Sequence, residues 1–110
     1  MEDLAKKLAG VYYIATTEDD QPHVRPFDNA AVVDGNLYIG TARPKKVFAQ
    51  IVNNPKVEIF AMGEMGAARF TAEAHEETDE EIAKKAFEAM GKPYDEESSV
   101  ALKLDKIANL

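Results

Sequence analysis

Arg43, Lys45 and Lys46 fall within four positions, just after the segment "NLYIGT" (36–41) and just ahead of an amphipathic run in which Val47, Phe48, Ile51 and Val52 recur at helical spacing. Free N–H groups give a helix N-terminus partial positive charge. Exposed cations there are unfavourable by roughly 0.3–1 kcal/mol each. A phosphate monoester reverses that sign. Gly40 lets backbone approach a ligand closely, and the Thr41 hydroxyl can donate to it. The first N–H groups of the helix favour an anion, and Lys45 and Lys46 add charge where it would sit. The G-x-x-x-x-G-K spacing of a P-loop is absent. The competing reading is a solvated face, with the three cations paired to surface acids.

The preceding stretch, "HVRPFDNA" (23–30), puts Arg25 and Phe27 on one face of a strand, with Val24 and Pro26 on the other. A proline in a strand marks an edge or a bulge, and bulges accompany sites. Arg25 offers planar donors to a heteroaromatic ring or a phosphate. Its alternative is a surface ion pair with Asp28 or Glu18.

Other chemistries find less support. There is no cysteine, which excludes disulfides, thiolate metal sites and cysteine nucleophiles. His23 and His75 are far apart in sequence, too few for a metal site, and read as partly exposed strand residues. Ser98 and Ser99 lie in an acidic loop rather than a nucleophile elbow. "EETDEE" (76–81) lacks the spacing of a calcium loop and suits a helix start.

The 110 residues suffice for one domain over 1–110, and so small a core makes pairing with a second copy a plausible source of stability. The net charge is −7. Residues 1–72 hold 8 cations and 9 acids, and residues 73–110 hold 5 and 11. The acidic balance argues against nucleic acid and anionic lipid, while the near-neutral first part leaves room for a local cationic pocket. No apolar run approaches the roughly 20 residues that span a bilayer, and the start lacks a signal peptide's apolar segment. The expectation is a cytoplasmic protein.

The elements that must position these residues follow from period and punctuation. A helix is expected over 2–9, with strands over 11–17, 23–33 and 36–41, the last two joined at Asp34-Gly35, a strong hairpin signal. A helix follows Pro44 and ends at Asn53-Asn54-Pro55. Strands over 56–62 and 67–77 flank a "GEMG" turn. Thr78 with Glu81 reads as a capping box for a helix closed by Gly91 and Pro93, its stripe being Ile82, Ala86, Phe87 and Met90. A short strand over 100–104 ends the pattern. Hairpin connections with scattered helices argue for an α+β fold, and a partly closed barrel would remove exposed edges. Tyr12 and Tyr13 should point one into the barrel and one outside or to a dimer contact.

In order and spacing, "IAT", "P-x-V-R-P-F", the D-G hairpin, "LYIGT" followed by "KK", "NPKVEI" and "R-x-x-A-E-A" resemble the pyridoxamine 5′-phosphate oxidase-like, FMN-binding split-barrel flavoproteins. The sequence looks most like the small single-domain members, including those resembling nitroimidazole-resistance and general stress proteins. The resemblance covers roughly residues 8–90. It implies a six-stranded antiparallel Greek-key split barrel with flanking helices, forming a homodimer with FMN at the subunit interface. It implies Arg25, Pro26 and Phe27 along the isoalloxazine ring and Asn29 near the ring's polar edge. Gly40 and Thr41 would lie beside the ribityl-phosphate chain, Lys45 and Lys46 on the phosphate, and Arg69 at the flavin. Nothing after "VALKL" matches the Arg, His and Trp segment that binds pyridoxal in the larger oxidases. The lysine those oxidases carry a few residues beyond the Arg25 position is also missing. An activity other than pyridoxamine 5′-phosphate oxidation is therefore expected.

The resulting expectation is an FMN-dependent oxidoreductase acting on a small-molecule substrate. Its alternatives are a non-catalytic module of the same fold holding flavin or haem, and a cofactor-free dimer.

Overall fold

The computed structural model describes residues 1–110. The elements run α1 (Glu2–Lys7), β1 (Tyr12–Glu18), β2 (Gln21–Phe27), β3 (Ala31–Val33), β4 (Asn36–Ala42), α2 (Lys46–Asn53), β5 (Lys56–Gly63), β6 (Gly66–Glu76), α3 (Glu80–Met90) and β7 (Ser99–Asn109). Every strand pairing is antiparallel, in the order β2-β1-β5-β6-β7-β4-β3. The α+β expectation holds.

There are seven strands rather than six, because residues 23–33 divide into β2 and β3. Those two strands are consecutive in sequence yet lie at opposite edges of the sheet. Laid flat, six spacings would separate the edges by about 29 Å. The link from Phe27 to Ala31 spans about 14 Å at full stretch. The sheet must therefore curl until its edges nearly meet, leaving an open seam bordered by that link. Asn29, in the link, stitches the seam. Its backbone carbonyl accepts from Tyr12 Oη on β1, and its side-chain oxygen accepts from the Gly40 N–H on β4 at 2.7 Å.

Alternation along the strands fills the barrel with Tyr12, Ile14, Leu37, Ile39, Ile59, Phe70, Leu102 and their neighbours. Leu8 from the α1 end and Val47 and Ile51 from α2 join this core. On the outside, α3 lays Ala83, Ala86 and Phe87 over Tyr38 and Ala101. Ile82 and Met90 are only partly buried there. Tyr12 points inward and Tyr13 outward. Asp34 and Gly35 both adopt the positive φ of the expected hairpin turn.

Two boundaries differ from expectation. The cap of α3 is Asp79, whose side chain accepts from the Glu81 and Ile82 N–H groups; Thr78 stands one position too early. Strand β7 runs on to Asn109 because a bulge between Thr71 and Glu73, opposite Lys106 at φ 52°, lets it keep pairing with β6.

Candidate functional site

A cavity of about 520 Å³ opens at the seam, within the roughly 300–1,000 Å³ of small-molecule sites. Three segments build it. The end of β2 and the link supply Arg25 to Asn29, while the end of β4 and the turn after it supply Gly40, Thr41, Ala42 and Lys45. Val47 and Phe87 provide an apolar floor, and Lys92, Pro93 and Ser99 form the rim beyond α3.

At one end the cavity meets the start of α2. Lys45 is the N-cap residue, no side chain caps the helix, and its first turn holds no acid. Free N–H groups and a cation therefore converge there with no cap and no acid in the helix's first turn to balance them. Neither Lys45 nor Lys46 belongs to an ion pair. Arg43 is already committed, bonding Glu76 and lying 5.7 Å from the centre of the Phe48 ring.

Arg25 is half-buried and held entirely by neutral groups. Its Nη1 donates to Thr16 Oγ1 at 2.8 Å and to the Ile14 carbonyl at 3.4 Å, and its Nη2 donates to Gln50 Oε1 at 2.7 Å. Burial pulls its pKa below the usual guanidinium value. Asp28, a candidate partner from the sequence, pairs instead with Lys92 at 3.2 Å. Phe27 packs against the buried Tyr12 ring, with centroids 6.0 Å apart. Burial, then the Asp28 charge, pushes the Tyr12 phenol up, so it stays a donor to Asn29.

A family model described as pyridoxamine 5′-phosphate oxidase matches residues 5–108. The chain belongs to the pyridoxamine 5′-phosphate oxidase family. A NimC/NimA family protein from Clostridium acetobutylicum is 36% identical, with TM-score 0.88 over 97% of this chain and 83% of that one. Two more distant structures share the fold. The FAD binding protein from Mycobacterium smegmatis is 22% identical, with TM-score 0.71 over 98% of this chain and 89% of that one. General Stress Protein 26 from Bacillus anthracis is 20% identical, with TM-score 0.69 over 99% and 92%. No curated protein sequence matches.

Every cavity residue lies inside the stretch matched to the family. Of the residues expected at the site, Arg25, Pro26, Phe27, Asn29, Gly40, Thr41 and Lys45 line one cavity. Lys46 is the first residue of α2, exposed and outside the lining. Arg69 lies on β6, paired with Glu58 at 3.1 Å, and does not line the cavity of its own protomer. Asn29 spends its side-chain oxygen on Gly40, leaving its NH2 group for a ligand. Sequence reading missed Asp28, Ala42 and Val47 among the expected segments, and Phe87, Lys92, Pro93 and Ser99 beyond them, as lining residues. The Gly91-Lys92-Pro93 helix stop was visible, but not what it would overhang.

His23 and His75 are partly exposed strand residues beside Glu18 and Glu73, and neither lines the cavity. No helix is long and apolar enough to cross a membrane.

Proposed function

We propose that this chain binds FMN in the seam cavity and acts as an FMN-dependent oxidoreductase on a small-molecule substrate. The observation that carries the reading is the convergence of Lys45, the uncapped start of α2 and the half-buried Arg25 on one apolar-floored cavity. These residues fit the group. Lys45, the first N–H groups of α2 and the Thr41 hydroxyl suit a phosphate dianion. Pro26, Phe27, Val47 and Phe87 suit the faces of a flat ring system. Arg25 and the Asn29 amide suit its carbonyl edge. The relative from M. smegmatis, described as FAD binding, supports a flavin in this fold.

Bound flavin would supply hydride and electron transfer between a donor, such as a reduced nicotinamide, and a small acceptor. The chain's own part is placement and electrostatics. Lys45 and α2 would anchor one end of the cofactor, the apolar floor would exclude water, and Arg25 would favour negative charge on the ring. No side chain is assigned proton transfer. Haem is disfavoured, since neither histidine reaches the cavity to act as an axial ligand.

A homodimer is part of the same reading. The register aligns Pro26, Tyr13, Phe60 and Arg69 in one row across β2, β1, β5 and β6. Tyr13, Val24, Phe60 and Met62 are exposed on these strands. Contiguous apolar surface of this kind marks an interaction site. Pro26 also lines the cavity, so a second copy docked on this face would border the site and make Arg69 an interface cation.

The test is a visible spectrum of freshly purified protein, with FMN titrated against the melting temperature. A ligand at 100 times its Kd adds about 2.7 kcal/mol of stability. A colourless protein whose melting temperature ignores FMN would remove the reading. Bound flavin that no nicotinamide reduces would leave a non-catalytic carrier.

A further inference from the structure

Apart from the tyrosines, two polar side chains are buried, Thr16 at 2% exposure and Gln50 at 4%, and they bond to each other. Thr16 lies on the inner face of β1. Gln50 lies on the buried face of α2, between Val47 and Ile51. A glutamine on the core side of a helix has a large desolvation cost unless its amide is satisfied. Here the amide is satisfied, and the group that completes the set is Arg25.

The proton directions follow from chemistry. A guanidinium only donates, so the Gln50 oxygen, not its nitrogen, must face Arg25. Thr16 Oγ1 accepts from Arg25, so its own proton goes to Gln50 Oε1 at 2.5 Å. The Gln50 NH2 group turns the other way, to Glu18 at 3.4 Å. No buried side-chain polar atom is left unpartnered. Of the five N–H donors of a guanidinium, three are taken by Thr16, Ile14 and Gln50. Nε–H and one Nη2–H remain, on a side chain that lines the seam cavity.

We propose that Gln50 and Thr16 are positioning residues for Arg25, fixing its guanidinium at the cavity while leaving its charge uncompensated. The proposal rests on the flavin reading above and deepens it. A glutamate at position 50 would hold Arg25 more tightly, through a charge-assisted pair. It would also cancel the charge. The neutral amide fixes the guanidinium and leaves its field for a ligand. In a partly desolvated site that field acts at short range with little screening. It favours the anionic reduced ring over the neutral oxidised one. Gln50 and Thr16 therefore set the redox poise of the bound cofactor through Arg25 without touching it.

The experiment measures the FMN-loaded protein for potential and the apo-protein for arginine mobility. In Gln50→Glu, the reduced flavin should lose at least about tenfold in relative affinity, a fall of about 30 mV or more in the two-electron midpoint potential. In apo wild type, the Arg25 guanidinium protons should exchange slowly with water by 15N NMR. Thr16→Val, which keeps the shape and removes the acceptor, should speed that exchange, and Thr16→Ser should restore it. A purely structural role would lower the melting temperature of these variants and leave potential and exchange alone. FMN-loaded Gln50→Glu at an unchanged potential would overturn the proposal with the flavin reading intact. If Gln50→Glu does not fold, unchanged exchange in Thr16→Val overturns it. Wild type that fails to bind FMN would overturn the flavin reading and the redox role, while the exchange data would still judge the positioning.

Discussion

Lys45 and Lys46 are adjacent in sequence, but only Lys45 lines the cavity. The two single alanine variants should therefore behave differently. A hydrogen bond between charged partners is worth roughly 1.5–3 kcal/mol. Lys45→Ala should thus weaken FMN binding by roughly 10- to 150-fold. Lys46→Ala removes an exposed charge outside the lining and should cost no more than about threefold. Stability should move the other way. The first turn of α2 has no acid and no side-chain cap. Removing the Lys45 cation from that end should stabilise the apo-protein by about 0.3–1 kcal/mol, which raises the melting temperature by a few degrees. The assay is a titration of flavin fluorescence with apo-protein, paired with thermal unfolding without ligand. Riboflavin is the control, since it lacks the phosphate and should bind both variants like wild type. The double variant should match Lys45→Ala within about threefold, as only one of its changes counts. Equal losses in the two single variants, or a riboflavin affinity that falls with that of FMN in Lys45→Ala, would refute the assignment of Lys45 to a phosphate.

Asn29→Ala strands the buried Gly40 N–H and should cost about 1–3 kcal/mol, read as a fall of roughly 4–8 °C in melting temperature per kcal/mol. Asn29→Asp keeps the acceptor and should recover most of that loss. Gly40→Ala would put a Cβ 3.1 Å from Phe87 Cζ and 3.2 Å from Met90 Sδ. That crowding should cost about 1–3 kcal/mol and weaken FMN binding through the displaced Phe87 ring, measured by unfolding and titration together. Phe60→Asp puts a charge in the centre of the exposed apolar row. On the proposed dimer, it should shift the light-scattering mass from dimer in wild type to monomer, with FMN binding weakened in parallel, and a wild type that is already a monomer would refute the dimer.

What the sequence made legible was local. The Asp34-Gly35 turn, the buried parts of the α2 and α3 stripes (Val47 and Ile51, Ala86 and Phe87) and the inward and outward tyrosines each depend on residues within a turn or two of one another, whereas Val52 of the expected α2 stripe faces solvent. The break between β2 and β3 does not. It is made by Asn29 reaching a Gly40 that is 11 residues away, and no local signal distinguishes that Asn from one in an ordinary turn. Thr78 and Asp79 are both good caps, and only the fold shows which oxygen meets the Glu81 N–H. At the site, residue type exposed the cavity side of β2 and the end of β4, since cations, Gly and Pro are conspicuous there. Gln50 was hidden because a glutamine in an amphipathic helix normally faces water. Its position between Val47 and Ile51, on the apolar arc, was the available clue.

The chain holds 20 acids against 13 basic residues, so a carboxylate is seldom far from a cation. An exposed lysine without a partner says little by itself, because water solvates it and surface pairs are worth little; Lys45 counts because it lines the cavity at the uncapped start of α2. Arg25 differs. It is half-buried, burial pulls its pKa down, and every group it hydrogen-bonds is neutral. The nearby acids are occupied elsewhere: Asp28 with Lys92, and Glu18 facing His23 and the Gln50 amide nitrogen. If stability alone set position 25, an apolar residue would fill the space without the desolvation cost, or a carboxylate would stand at position 50. A cation held in place by Thr16 and Gln50 without a carboxylate partner gains its opposite charge only when something negative enters the cavity beside it.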